Sequence, residues 1–323
     1  MTHAIRIHET GGPEVMRWEK VDPGHPGPGQ VRLRHTAIGV NFIDVYYRTG
    51  LYPASLPLIL GREGAGVIEE VGEGVSGFKP GDRVSYASIM GSYAEARLID
   101  AAHLVHLPET IDDETAAAIT LQGMTARYLV KSVYPIRSGD RVLVHAAAGG
   151  VGLLLCQWAS ALGAEVIGTV STKAKAELAR AAGCAHPIVT TNEDFHARVL
   201  EITDGRKVPV VYDSVGRDTF MKSLDCLQPL GMMVVFGQSS GTIPPIEINL
   251  LARKGSLVLT RPMLSDFIAT REQLETVSAD LFEAISSGML RATIGQRFAL
   301  RDAAEVHRAI EARKTIGSTI LTP

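Results

Sequence analysis

The sequence predicts an α/β chain in which a doubly wound parallel sheet is joined to a β-rich domain. Three observations carry that expectation. The first is Arg141-Val-Leu-Val-His-Ala-Ala-Ala-Gly-Gly-Val-Gly152, a strand-length apolar run that enters a glycine turn and then a helix. The second is the alternation of strand-like and helix-like segments after it, the pattern of a parallel sheet. The third is the contrast with residues 4–84, where short strands and turns run without that alternation.

Taken in order, Val31, Leu33, His35 and Ala37 alternate with Arg32, Arg34 and Thr36, the period of a half-buried strand. Residues 23–29 form a proline and glycine loop. Residues 67–71 and 83–86 read as further strands, separated by the turn formers of 72–81. Near Thr110 the period changes. Asp112 or Asp113 caps a helix holding Ala116 to Ile119, with Met124, Tyr128 and Leu129 extending the apolar spacing to Val130. The strand at 141–146 feeds a helix that begins at Val151 and stops at Gly163. Strands follow at 165–170, 208–213, 232–236 and 256–260, with helices at 173–182 and 219–227. From Pro262 the pattern gives a helix around 273–287, a strand near Phe298, a helix over 302–313 and a terminal strand at 319–321.

The chain has 323 residues and a formal net charge of -3, with ordinary apolar and glycine contents, which suits a soluble protein of about two domains. No basic footprint for nucleic acid or an anionic membrane is present, so small molecules are the expected partners. Residues 146–164 lack charge and approach spanning length, but Gly149, Gly150 and Gly152 would interrupt a membrane helix. The N-terminus leads into a strand-like segment rather than a secretory core, and a cytoplasmic location is expected. Cys156, Cys184 and Cys226 are far apart and read as small buried hydrophobes, neither a zinc knuckle nor a disulfide framework.

Ala147, Gly149 and Gly152 occupy the three small-residue positions of a dinucleotide fingerprint, with alanine in place of the first glycine. Backbone without side chains approaches a pyrophosphate closely, and the unpaired N–H groups at a helix start favour its charge. An NAD site usually places an acid about 20 residues further on, to hold the ribose hydroxyls. Here that stretch is Thr169-Val-Ser-Thr-Lys-Ala-Lys175, which has no carboxylate. Lys173 or Lys175 would instead form a charge-assisted contact with a ribose 2′-phosphate, which favours NADPH. A rival reading is a serine hydrolase. Gly237-Gln-Ser-Ser-Gly241 satisfies the Gly-x-Ser-x-Gly pattern after a strand, and Asp266, Asp302 and His307 supply a chain order of Ser, Asp, His. A nucleophile elbow must open a helix, however, and Thr242-Ile-Pro-Pro245 follows.

Six stretches together resemble the zinc-free medium-chain dehydrogenase/reductases, specifically the bacterial NADPH:quinone oxidoreductases related to zeta-crystallin. They are residues 39–53, Gly61-Arg-Glu-Gly-Ala-Gly66, Phe78-Lys-Pro-Gly-Asp-Arg-Val84, 145–152, Val211-Tyr-Asp-Ser-Val-Gly216 and Thr260-Arg-Pro262. The resemblance implies a GroES-like β-rich catalytic domain over 1–123, a Rossmann doubly wound parallel sheet over 124–261, and a return to the catalytic domain over 262–323. It implies cofactor contacts at Asn41, Tyr128, Gly149, Gly150, Val151, Ser171, Lys175, Val215, Phe236, Gly237, Gln238, Ser239 and Arg313. Asn41 and the loop through Tyr46 would line the nicotinamide side, with Tyr46, Tyr52 and Arg62 near the acceptor. Their work would be positioning and electrostatic support of developing oxygen charge. Members of this group can carry a tyrosine near the adenine phosphate where this chain has Thr190. A homodimer through a sheet edge near 256–260 is also implied.

Zinc-dependent relatives place a cysteine at Asn41 and a histidine at Arg62, and neither residue here suits a tetrahedral zinc site. His103 and His106 have ligand spacing but no third partner in the sequence. Without a metal, the acceptor should take hydride readily, and a quinone does. An enoyl-thioester or other activated-alkene reductase uses the same cofactor geometry. A non-catalytic NADPH-binding protein is a third expectation.

Overall fold

In the computed structural model, which describes residues 1–323, the predicted alternation is realised as two sheet systems with different topologies. In chain order the first elements are β1 (Thr2–Ile7), β2 (Arg17–Val21), β3 (Gln30–Val40), α1 (Phe42–Arg48), β4 (Leu58–Ile59), β5 (Glu63–Val71), β6 (Arg83–Ala87), β7 (Ala96–Asp100), β8 (Val105–His106) and α2 (Asp113–Tyr128). Then come β9 (Arg141–Val144), α3 (Gly150–Ala161), β10 (Glu165–Val170), α4 (Lys173–Ala181), β11 (Cys184–Val189), α5 (Phe195–Ile202), β12 (Val208–Asp213), α6 (Phe220–Cys226), β13 (Leu227–Val235), α7 (Asn249–Arg253) and β14 (Val258–Thr260). The chain closes with α8 (Leu264–Phe267), α9 (Arg271–Ser286), β15 (Ile294–Ala299), α10 (Ala303–Glu311) and β16 (Ser318–Thr322).

The chain folds into two units, the first made of Met1–Met124, Phe267–Ser286 and Ala292–Pro323, and the second of Thr125–Asp266 with Ser287–Arg291. In the first unit the strand β3 is the organiser. Its alternation buries Val31, Leu33, His35 and Ala37, as the sequence pattern requires. It pairs antiparallel with β5, β7 and β16, so the last strand of the chain, through Thr319 opposite Val40, closes onto one of the first. Ile5, Ile7, Ile38 and Val40 pack with Leu300, Val306 and Leu321 in one core cluster, and Val31, Leu33, Ile68 and Val84 form another.

In the second unit six parallel strands lie in the order β11-β10-β9-β12-β13-β14. Counted from β9 this is 3-2-1-4-5-6, the doubly wound order whose direction of winding reverses between β9 and β12. Ligands bind such sheets at the carboxyl ends of the strands flanking that point. Leu143, Ile167, Val211 and Met233 from four of the strands share one core cluster.

Two expectations need correction. Residues 42–48, read as a loop after Asn41, form a helix, because Asp44 accepts the Asn41 N–H at 2.9 Å and so satisfies an orphan donor at the helix start. A strand at Cys184–Val189 and a helix at Phe195–Ile202 were missing from the sequence pattern. Pro187 and His186 break the apolar run there, which is tolerated because β11 is an edge strand.

Candidate functional site

In the second unit the glycine motif sits at the winding reversal. β9 ends at Val144, and Ala146 takes φ 52, a left-handed value uncommon for a residue with a side chain. Gly149 is the N-cap of α3, with no side-chain cap. At Gly152 a Cβ would lie 2.2 Å from the Ala146 carbonyl oxygen, so only glycine lets the first turn of α3 approach the turn that precedes it. The first N–H groups of α3, those of Gly150 and Val151 among them, have no helix partners and lie at the positive end of its dipole. Behind them His145 is buried, its Nδ1 2.9 Å from Thr169 Oγ1 and its Nε2 2.8 Å from Ser223 Oγ. Burial lowers its pKa, so the neutral ring ties β9, β10 and α6 together.

Ser171 follows β10 directly, and Lys175 lies in the first turn of α4, where Thr172 Oγ1 accepts the Lys175 N–H at 3.2 Å. Thr190 is exposed just after β11, and its N–H and its hydroxyl both donate to the Val170 carbonyl, at 2.9 and 3.1 Å. The loops after β12 and β13 are laced together. Asp213 Oδ1 accepts the N–H groups of Val215 and Gly216 at 2.7 and 3.1 Å, Phe236 N–H donates to the Asp213 carbonyl at 2.8 Å, and Ser239 N–H donates to Ser214 O at 3.1 Å. Val215 and the segment Phe236, Gly237, Gln238 and Ser239 are thereby brought together. Tyr128 is buried at the end of α2, just before a π-helical turn at Leu129–Val133, and burial raises the pKa of its hydroxyl. Arg313 belongs to the first unit, in a left-handed turn beyond α10.

The hydrolase reading fails on this geometry. Ser239 sits in a loop that opens no helix, since the next one begins at Asn249. His307 is committed in the first unit, with Nε2 3.1 Å from the Tyr93 hydroxyl and Nδ1 3.4 Å from Arg48.

In the first unit the structure brings Tyr46, Tyr52 and Arg62 into one cluster through a residue the sequence reading missed, Tyr47. Tyr52 packs against Tyr46 and Tyr47, with ring centroids 5.2 and 5.6 Å apart. Arg62 donates to the Tyr47 hydroxyl at 3.0 Å and to the Ser88 carbonyl at 2.5 Å, with its guanidinium over the Tyr47 ring. It is 9% exposed, and its Nε has no hydrogen-bond partner. Asn41 stands at the start of α1, its Nδ2 2.7 Å from Glu63 Oε2 and its Oδ1 3.2 Å from Gln122 Nε2. Asp44 and Glu63 are fully buried, and desolvation pushes their carboxyls up to about 7 and about 8. Two signals could have found them: Asn41-x-x-Asp44 has the spacing of a helix start, and Glu63 lies between Gly61 and Gly64 in a segment whose neighbours are small and buried. No group of three or more His, Cys, Asp or Glu side chains is arranged so that it could hold a metal ion, and the amide of Asn41 and the guanidinium of Arg62 do not make a zinc donor set.

A β-rich unit built from both chain ends, with a doubly wound nucleotide-type sheet between them in sequence, is the architecture of the medium-chain dehydrogenase/reductases. Residues 27–109 match the domain family described as alcohol dehydrogenase GroES-like domain, and residues 150–282 match zinc-binding dehydrogenase. Over the full length of both chains the protein is 50% identical to a quinone oxidoreductase of Pseudomonas aeruginosa. It is 46% identical to a 2-haloacrylate reductase of a Burkholderia species, over 100% of this chain and 99% of that one. The crystal structure of Escherichia coli quinone oxidoreductase complexed with NADPH superposes with a TM-score of 0.98 at 47% identity, covering 99% of this chain and 100% of that one. The chain belongs to the quinone oxidoreductases of the medium-chain dehydrogenase/reductase family.

Proposed function

We propose that the protein is a zinc-independent NADPH:quinone oxidoreductase, with a catalytic domain formed by 1–123 and 262–323 and an NADPH-binding domain over 124–261. The observation that carries this reading is the stretch after β10: Ser171, Thr172 and Lys175 follow the strand next to the glycine turn, and no carboxylate stands there to repel a 2′-phosphate. The main-chain N–H groups of Gly150 and Val151 would hold the pyrophosphate, beside Gly149, whose own N–H donates to the Ala146 carbonyl at 2.9 Å, with Tyr128, Val215, Phe236 to Ser239 and Arg313 lining the rest of the cofactor. NADPH, when bound, supplies the hydride. Tyr46 and Tyr52 orient the acceptor, and Arg62, buried with an unused N–H, stabilises negative charge developing on its oxygen. That electrophile stands in the role a metal fills elsewhere in the family, and the reduced quinone takes its proton from solvent. A homodimer through β14 belongs to the same proposal, supported by an apolar sheet edge where Val258 and Leu259 are 46% and 38% exposed. Sedimentation at monomer mass would remove that part.

A second reading, reduction of an activated alkene, is favoured by the similarity to a 2-haloacrylate reductase. The two are separated by following NADPH and NADH oxidation with a panel of quinones, enones, enoyl thioesters and unsaturated carboxylates. Quinones turning over at least tenfold faster than alkenes are expected. In the same assay Lys175→Ala should raise the Michaelis constant for NADPH about tenfold, the effect of one lost charge-assisted contact, and leave that for NADH unchanged. Equal effects on both nucleotides would reject the cofactor assignment.

A further inference from the structure

Asn41 is held at both ends of its carboxamide by a chain of buried side chains drawn from distant parts of the sequence. Ser318 Oγ donates to Gln122 Oε1 at 2.7 Å, Gln122 Nε2 donates to Asn41 Oδ1 at 3.2 Å, and Asn41 Nδ2 donates to Glu63 Oε2 at 2.7 Å. All four residues are less than a tenth exposed. The other oxygen of Glu63 accepts the Leu121 N–H from α2 at 2.6 Å. Room for this carboxylate exists because residue 39 is glycine: a Cβ there would lie 2.4 Å from Glu63 Oε2.

The direction of such a chain is decided by the members that cannot be reversed: the Glu63 carboxylate at one end of the Asn41 amide and, at the other, the Asp44 main-chain N–H of the capping box at the start of α1. A serine hydroxyl donates or accepts, and the two ends of an Asn or Gln amide are alike in shape. An ionised carboxylate only accepts. We propose that Glu63 is a positioning residue that fixes which way the Asn41 carboxamide faces, so that its second Nδ2–H, which has no protein partner, is presented as a donor to a carbonyl oxygen of the bound cofactor or acceptor. This rests on the reading that Asn41 lines the nicotinamide side of the site.

Proton uptake by Glu63 would cancel the constraint, because the protonated oxygen can donate to Asn41 instead. The titratable and charged groups around Glu63 are Asp44 on α1, Arg62 beside it, Tyr86 on β6, Tyr93, and His35 on β3, which burial pushes down to about 3 and so keeps neutral.

Glu63→Gln keeps the size and the acceptor for Leu121 but brings an N–H against Asn41 Nδ2, which the amide relieves by turning over. Above pH 8, where Glu63 is ionised, the expected result is a fall of at least tenfold in kcat/KM with a thermal midpoint within a few degrees of the parent. The parent should lose activity as pH drops through the titration of Glu63, near 8, and Glu63→Gln should lack that limb. If the oxygen served is the cofactor's, the Michaelis constant for NADPH rises; if it is the acceptor's, that of the quinone rises. Glu63→Asp, which keeps an acceptor-only carboxylate at this position, should recover part of the activity lost in Glu63→Gln and bring back the acid limb. Full activity in a folded Glu63→Gln protein, or a Glu63→Asp protein as inactive as Glu63→Gln, would overturn the proposal. An active Asn41→Ala would remove the reading beneath it as well, whereas an inactive Asn41→Ala with an active Glu63→Gln removes only the role of Glu63.

Discussion

The two candidate sites are built from different materials. In the second unit the glycine turn is made of main chain: Ala146 in a left-handed conformation, Gly149 at the helix start, and Gly152 pressed against the Ala146 carbonyl. In the first unit the site is made of side chains whose positions in sequence are 41, 44, 63, 122 and 318, wired together away from water, with Arg62 held beside them by Tyr47 and Ser88. Main-chain sites tolerate changes of side-chain chemistry but not of volume, whereas a buried side-chain network tolerates little change in charge or polarity.

The sharpest way to break that comparison is a single methyl group. Gly152→Ala places a Cβ 2.2 Å from a backbone oxygen, an overlap that no side-chain rotation relieves. A loss of about 3 kcal/mol in folding stability is expected, with a roughly 100-fold weaker hold on NADPH, read by thermal melting and by nucleotide fluorescence titration. Unchanged binding would mean that the helix start is not where the pyrophosphate sits.

A smaller effect is expected from the ionic side of the first unit. Arg48 is 1% exposed and makes a bidentate pair with Glu311, at 3.0 and 2.8 Å. Glu311→Ala strands the buried guanidinium and should cost about 3 kcal/mol, the lower end for a broken buried pair because the glutamate is partly exposed. Differential scanning calorimetry checks it, and a melting point lowered by less than about 2 °C would assign the pair to the surface class instead.

The smallest effect is a slope. Asp44 and Glu63 hold their protons to higher pH folded than unfolded, up to about 7 and about 8, so between roughly pH 4 and 8 the folded state binds more protons and stability falls as pH rises. His35 and His307, pushed down to about 3 by burial, act in the opposite direction, but only below their ordinary value of 6.5. Between pH 6.5 and 8 the carboxyls act alone. Asp44→Asn should therefore remove about 1 kcal/mol of the decline in stability across that interval. A melting point that falls with pH as steeply as in the parent would show that Asp44 is ionised throughout.

The same contrast explains what was legible beforehand. Residues 165–170 and 208–213 were read to the residue, because buried parallel strands are short apolar runs with sharp ends. The strand at Cys184–Val189 was hidden by Pro187, and α1 by its length of seven residues, too short to show a helical period. Tyr46, Tyr52 and Arg62 were named from family resemblance, but Tyr47, which joins them, carries no signal in the sequence that sets it apart from its neighbour.

By itself the sequence determined the parallel sheet, the glycine turn and the absence of an acid after the second strand, since each depends on residues within one turn or strand of each other. Only the tertiary structure decided that Glu63, Gln122 and Ser318 converge on Asn41, and that His307 is spent on Tyr93 and Arg48 rather than on a serine. Local patterns record what the main chain does over a few residues. The partner of a buried polar side chain is set by which distant strands are packed side by side, and no local pattern records that.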